Sequence, residues 1–321
     1  MDIETGIAII MNRWIKLRRG EVLHFITDET HLVEAEAVQR WADAYGAVLK
    51  MTLLSSDSVQ NGAVIEEMAY HMAYADVIIG ATDNSFITTD AVKNATAHGV
   101  RFLSLPLSCA DGSSLLQQEF IGMDPRWAAR AAKRLLRYLN ASDTVRITTQ
   151  KGTDLTFSIK GRCAKFFNGT ATKKGSIGSA SFEVYVAMEE TATNGKLWLD
   201  ASLGYLGKIQ EPFWVTFSDG RLSCQADTPD AKRLCSYLES FQDPTMYLNG
   251  ELGIGLNQIS QCRGVSYIED ESTYGTFHIG MGRNLALGGQ QQAAGHFDII
   301  TYHPTIYAGE KMIMRDGQLA V

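Results

Sequence analysis

The chain has no apolar run approaching the ~18 residues that a membrane span needs. Its N-terminus, Met1-Asp2-Ile3-Glu4, is acidic before a short apolar stretch, the reverse of a secretory leader. A soluble protein of the cytoplasm is therefore expected, with no membrane as partner. Neither sign of charge is gathered into a block: 29 basic residues against 36 acidic ones leave a net charge of −7, without the electrostatic footprint of a nucleic-acid binder. Cysteine is sparse, at 109, 163, 224, 235 and 262, and no Cys-x-x-Cys pair occurs. Zinc-ribbon and dithiol chemistry thus lack their ligands, and free thiols are expected. No Gly-x-Gly-x-x-Gly follows the first predicted strand and no Gly-x-x-x-x-Gly-Lys-Ser/Thr occurs anywhere, so phosphate cradling has no support.

What is present is an ordinary globular composition, 45% hydrophobic and 20% charged over 321 residues, enough chain for two domains. Up to about residue 140, helices and strands alternate. Predicted helices cover 3–16, 30–45, 63–74, 89–98 and 126–139, and predicted strands 21–27, 47–54, 76–80 and 101–107. That rhythm predicts a Rossmann-like, doubly wound parallel-sheet domain over 1–142, an α/β arrangement that binds ligands at the carboxyl ends of its strands. Beyond residue 142 the texture becomes alternating residues and turn dipeptides, interrupted by one helix at 229–241, which predicts a β-rich α+β domain over 143–321. The basic face of helix 126–139 (Arg126, Arg130, Lys133, Arg134, Arg137) reads as a solvated surface.

Histidine is the informative residue type. After His98 none occurs until His278, His296 and His303, among glycine-rich segments. His296 and Asp298 are two apart, so on a strand both leave the same face and can converge on one ion. His278 lies in Gly275-Thr276-Phe277-His278-Ile279-Gly280-Met281-Gly282, where the backbone can approach a ligand closely. Glu251 stands among apolar residues and glycines, and Glu183 inside Phe182-Glu183-Val184-Tyr185-Val186; a carboxylate buried there needs a partner. Taken singly, Glu183 reads as a sheet-surface acid, Glu251 as a turn residue, His278 as a core histidine and His296 with Asp298 as a hydrogen-bonded pair. Together, in one β-rich domain, they read as a metal site for zinc, cobalt, manganese or non-haem iron. Glu269-Asp270-Glu271 reads as a solvated turn and His303 as a loop residue. Tyr205 and Tyr274 are candidate proton donors that spacing does not select. Phe182, Tyr185 and Trp214 are candidate pocket walls, although strand aromatics are more often core.

Over residues 145 to 321 the sequence resembles the M29 (aminopeptidase T-like) metallopeptidase family. The resemblance is carried by Phe182–Ala187, Pro212–Arg221, Gly250–Asn257, Gly275–Gly282, His296-Phe297-Asp298 and Asp316-Gly317. It implies two divalent ions (zinc, cobalt or manganese) on Glu183, Glu251, His278, His296 and Asp298, and a homo-oligomer, dimer or higher. The chain departs from the family pattern in length and in lacking the tyrosine expected after the His278 segment, where Arg283-Asn284-Leu285-Ala286 stands.

A shorter branch of the same fold resembles 2,5-dihydroxypyridine 5,6-dioxygenase, a ring-opening enzyme with a single iron, and its His-x-Asp pair would again be His296 and Asp298. In that branch a histidine stands where this chain has Glu251, and the carboxylate and imidazole at the positions of Glu183 and His278 are lacking, so this chain keeps the peptidase-type set. The retained carboxylates suit two water-bridged ions, so the sequence reads as a metallohydrolase of a small peptide or amide, with Glu251 as ligand or proton shuttle. The alternative is a mononuclear Fe(II) ring-cleaving dioxygenase using His278, His296 and Asp298, or Glu251 in place of one of them. A structural cluster with a non-enzymatic, ligand-binding role is the third reading.

Overall fold

The computed structural model describes residues 1–55, 62–224 and 226–321. It divides into two compact units, 1–123 with 167–180, and 124–166 with 181–321.

In the first unit five strands run parallel in the order Val48–Leu54, Val22–Asp28, Val77–Ala81, Arg101–Ser104, Ile177–Ser179. The apolar run at 77–81 is wholly buried, as a central parallel strand covered on both faces must be. The helix Leu32–Tyr45 stops at Gly46, whose φ of 74° lets its N–H turn back onto Ala42 O at 2.8 Å. The N-terminal helix stops at Trp14, short of the predicted 3–16, and only Ile3–Ile9 is α-helical, Ile10–Trp14 widening into a π turn. The helix expected at 63–74 is broken into Ala63–Glu67 and Ala69–Met72.

The division differs from the expected boundary near residue 142. Helix Pro125–Leu139 joins the second unit, because its apolar face (Ala128, Ala131, Ala132, Leu135, Leu139) packs on strands Phe182–Ala187 and Lys311–Arg315. Segment 167–180 returns to the first unit to add the fifth parallel strand, a three-residue element too short to leave a periodic signal.

The second unit holds an eight-stranded antiparallel sheet, from Arg221–Ser223 at one edge to Gln318–Leu319 at the other. The hairpin of 144–148 with 154–158 and the closing hairpin of 305–308 with 311–315 both belong to it. Beside it, His296–Tyr302, Thr276–Gly282, Asn249–Gly255 and Phe182–Ala187 lie antiparallel in that order. The last three are buried at every position, so polar-out alternation is absent from their sequence even though their side chains still alternate between faces. Phe182, Val184, Leu252, Ile254, Phe277, Ile279, Phe297 and Ile299 form an apolar face, and the chemistry lies on the other.

Candidate metal centre

Glu183, Glu251, His278, His296 and Asp298 all project from that other face, and each is paired across the ladder with a glycine. Glu183 pairs with Gly255, His278 with Gly253, Glu251 and Asp298 with Gly280, and His296 with Gly282. The glycines supply the floor. A Cβ at Gly253 would stand 2.0 Å from His278 Nε2 and 2.5 Å from Glu183 Oε2, and one at Gly280 would stand 2.7 Å from His296 Cε1 and 2.9 Å from Glu251 Cβ. Larger residues there would occupy the volume in which these side chains meet.

The five expected residues are brought together. His278 Nε2 lies 3.0 Å from Glu183 Oε2 and 3.9 Å from Asp298 Oδ1. His296 Nε2 lies 3.2 Å from Glu251 Oε2 and 3.3 Å from Asp298 Oδ1. Donor atoms within 4.8 Å of one another form three interlocking sets: Glu183, Glu251 and His278; Glu251, His296 and Asp298; and Glu271, His278 and Asp298. His296 Nδ1 sits 2.8 Å from Arg283 O. A carbonyl only accepts, so Nδ1 carries the hydrogen and Nε2 is the nitrogen turned toward the carboxylates, the orientation of an imidazole that binds a metal once Nε2 gives up its proton. Ser181 Oγ donates to Glu183 Oε1 at 2.8 Å, turning Oε2 inward.

Glu271 is the residue that sequence reasoning missed. The acidic triplet is not a solvated turn: Glu269, Asp270 and Glu271 are all buried in a short helix, Tyr267–Ser272, begun by Ser266. Glu269 pairs with Arg263 at 2.6 Å, Asp270 accepts from Gly264 N at 3.0 Å, and Glu271 turns into the cluster. Three consecutive acids look solvated because the residues that satisfy two of them, at 263 and 264, are brought back only by the fold. The signal available in the sequence was Ser266 three residues before Glu269, a helix-start pattern.

The other candidates separate. Tyr185 is on the cluster face, opposite Gly253, and burial, then Glu251 and Glu183, hold its phenol well above the ordinary range. Phe182 is core, and Trp214 belongs to the eight-stranded sheet against Trp198. Tyr205 lies tilted against Tyr267, and Tyr274 packs on Trp127 while accepting from Leu319 N. His303 lies exposed between strands. The segment standing where a tyrosine was expected buttresses the site: Arg283 orients His296, and Asn284 Nδ2 donates to Gly250 O beside Glu251.

The cluster asks for a cation. Four carboxyl groups face two imidazoles, and Glu183 Oε2 and Asp298 Oδ1 are buried without a hydrogen-bond partner. Burial lifts the Glu251 carboxyl, an effect only partly offset by His296, and burial followed by Glu183 pushes Glu271 well above its usual range. Burial pulls His278 down, but Glu183 and Asp298 outweigh it and raise the imidazole to about 9. Protons thus neutralise the excess negative charge, and a divalent ion meets the same demand by displacing them. Imidazole and carboxylate donors with a glycine floor fit such an ion.

The family model for NicX, 2,5-dihydroxypyridine 5,6-dioxygenase, matches residues 29–321. Among solved structures, 2,5-dihydroxypyridine dioxygenase from Pseudomonas putida KT2440 is similar over 99% of this chain and 96% of its own, at 15% identity and a TM-score of 0.78. Wild-type AmpT from Thermus thermophilus is similar over 99% of both chains, at 13% identity and a TM-score of 0.65. At such identities the two structures speak for a shared fold. No curated protein sequence matches the chain. Among the described residues no helix is long and apolar enough to cross a membrane.

Proposed function

Because this chain belongs to the NicX family, 2,5-dihydroxypyridine 5,6-dioxygenase, we propose that it is a metal-dependent enzyme that opens a small hydroxylated aromatic ring with dioxygen, using one Fe(II) held by Glu251, His296 and Asp298. The observation that carries this reading is the convergence of those three donors, in a chain that the family match spans almost from end to end. When bound, the ion supplies Lewis acidity and the redox capacity that dioxygen chemistry requires. The chain's own part is positional. Arg283 O fixes His296, Asp298 sits two residues along the same strand, and Glu251 reaches across from Asn249–Gly255. Glu183 and His278, 3.0 Å apart beside this triad, hold a proton at His278 Nε2 that is available to the ring-opened product.

A second reading is favoured by one specific feature, that Glu251 is shared between the His296/Asp298 set and the Glu183/His278 set. A shared carboxylate suits two bridged ions and hydrolysis of a small amide or short peptide. It ranks behind the first because the family match is to the dioxygenase.

One experiment separates the two readings. Protein purified anaerobically is assayed for metal per chain, then for oxygen uptake with dihydroxypyridines and for anaerobic release of amine from short peptides and amides. About one iron with stoichiometric oxygen uptake supports the dioxygenase. About two zinc, cobalt or manganese ions with anaerobic hydrolysis overturns it in favour of the hydrolase. Absence of both metal and turnover overturns both.

A further inference from the structure

The first unit carries a second set of donor groups, which the proposed chemistry does not use. Asp28 ends strand Val22–Asp28, Asp83 follows Val77–Ala81 and Ser108 follows Arg101–Ser104, so three neighbouring parallel strands deliver polar groups at their carboxyl ends. Open parallel sheets bind ligands at that edge. Asp28, His31 and Asp83 each offer a donor atom, all within 4.8 Å of one another. His31 Nε2 lies 2.8 Å from Asp83 Oδ1, 3.3 Å from Ser108 Oγ and 4.0 Å from Asp28 Oδ1.

Two further observations point beyond an internal hydrogen-bond network. His31 Nδ1 lies 3.7 Å from Glu34 Oε1, so one ring nitrogen has a negative charge beside it while the other faces the aspartates. A cavity of about 430 Å³ opens on His31 and Asp83, with Thr30, Glu34, Ser108 and Gln117 also on its wall, while Asp28 is fully buried off it. It gives an ion a route in and room to keep water ligands. Asp28, His31 and Glu34 are nonetheless buried, which leaves three carboxylates facing one imidazole within the fold.

We propose that this crevice is a second, non-catalytic divalent-cation site of the zinc or manganese class. Asp28, His31 and Asp83 are the protein ligands, Glu34 orients His31, and the Ser108 hydroxyl and water complete the shell. Its effect is to tie together the three strand-end loops of the first unit.

The test uses the full chain with the second unit's donors disabled. Glu251→Ala with His278→Ala takes at least one member from each of the three sets there. Loaded with Zn(II) or Mn(II) and desalted, this double variant is expected to keep one ion per chain. Adding Asp83→Ala is expected to weaken binding ~100-fold or more and to abolish the metal-dependent rise in melting temperature. No ion in the folded double variant, or an ion that survives Asp83→Ala, overturns the proposal. If the double variant does not fold, the wild-type chain and Asp83→Ala alone are compared. The variant is expected to hold one ion fewer, and equal contents overturn the site. Oxygen uptake and hydrolysis do not enter this measurement, so its outcome is independent of the reaction assigned to the second unit.

Discussion

His278 Nε2 and Glu183 Oε2 stand 3.0 Å apart directly over Gly253, in the space that a Cβ at that position would take. The two side chains come from strands that are not neighbours, with Asn249–Gly255 between them, and they meet because the intervening residue has no side chain. A methyl group there has nowhere to go, since the strand is buried on both faces.

Gly253→Ala is therefore expected to separate His278 from Glu183 while the chain remains folded. The cost in stability should be ~1–3 kcal/mol, the usual range for overpacking a core. Turnover should fall about 100-fold, as follows from displacing catalytic groups by ~1 Å. Chemical denaturation and steady-state kinetics on one preparation check both. Wild-type turnover in Gly253→Ala would remove the floor from the argument.

His296→Ala should release the metal. Its Nε2 faces both Glu251 and Asp298, so its loss disables the set assigned to the ion and should lower affinity by more than the ~10–100-fold typical of outer-shell partners. Competition with a chromogenic chelator measures this directly. Retention of wild-type affinity would shift the site to Glu183, Glu251 and His278.

Glu271→Gln tests the acid that the sequence hid. The amide keeps the shape but cannot carry charge toward His278 and Asp298. A drop of about 10-fold in metal affinity, with little change in melting temperature, is the expected result. An unchanged affinity would assign Glu271 to packing.

His24 should make the first unit acid-sensitive. It is fully buried, its Nε2 is 2.8 Å from Thr52 Oγ1, and its strand pairs it with Lys50. Burial, followed by Lys50 and His71, depresses its pKa from 6.5 to about 4. A base whose folded pKa lies below its unfolded one is neutral in the fold, so the unfolded chain binds the extra proton between these two values. Stability is complete above pH 6.5 and is lost as pH falls toward 4, by up to about 3 kcal/mol. Urea unfolding at pH 7 and pH 4.5 should show the loss, and His24→Gln should flatten it. Equal pH slopes for the two proteins would mean that another group is responsible.

How much of this was legible follows from which interactions are local. The alternation of strands and helices up to residue 140 comes from side-chain periodicity, and the sequence alone determined the parallel-sheet unit and the β-rich texture that follows. His296 and Asp298 were equally legible, since two residues apart on a strand means one face whatever surrounds it. Glu183, Glu251 and His278 were suspected because acids and imidazoles amid apolar residues demand partners.

The tertiary structure alone decided who those partners are. Strand register sets Glu183, Glu251, His278, His296 and Asp298 each opposite a glycine, and register depends on pairing between separate segments of the chain, as far apart in sequence as Glu183 and Gly255. Glu271 looked solvated because the loop just before its helix, with Arg263 and Gly264, satisfies its neighbours only once it folds back on them. The fold decides again for Asp28, His31 and Asp83, joined only where parallel strands end side by side. Local sequence fixes which face a side chain leaves from. What it meets there is fixed by non-local pairing, which no pattern along the chain encodes.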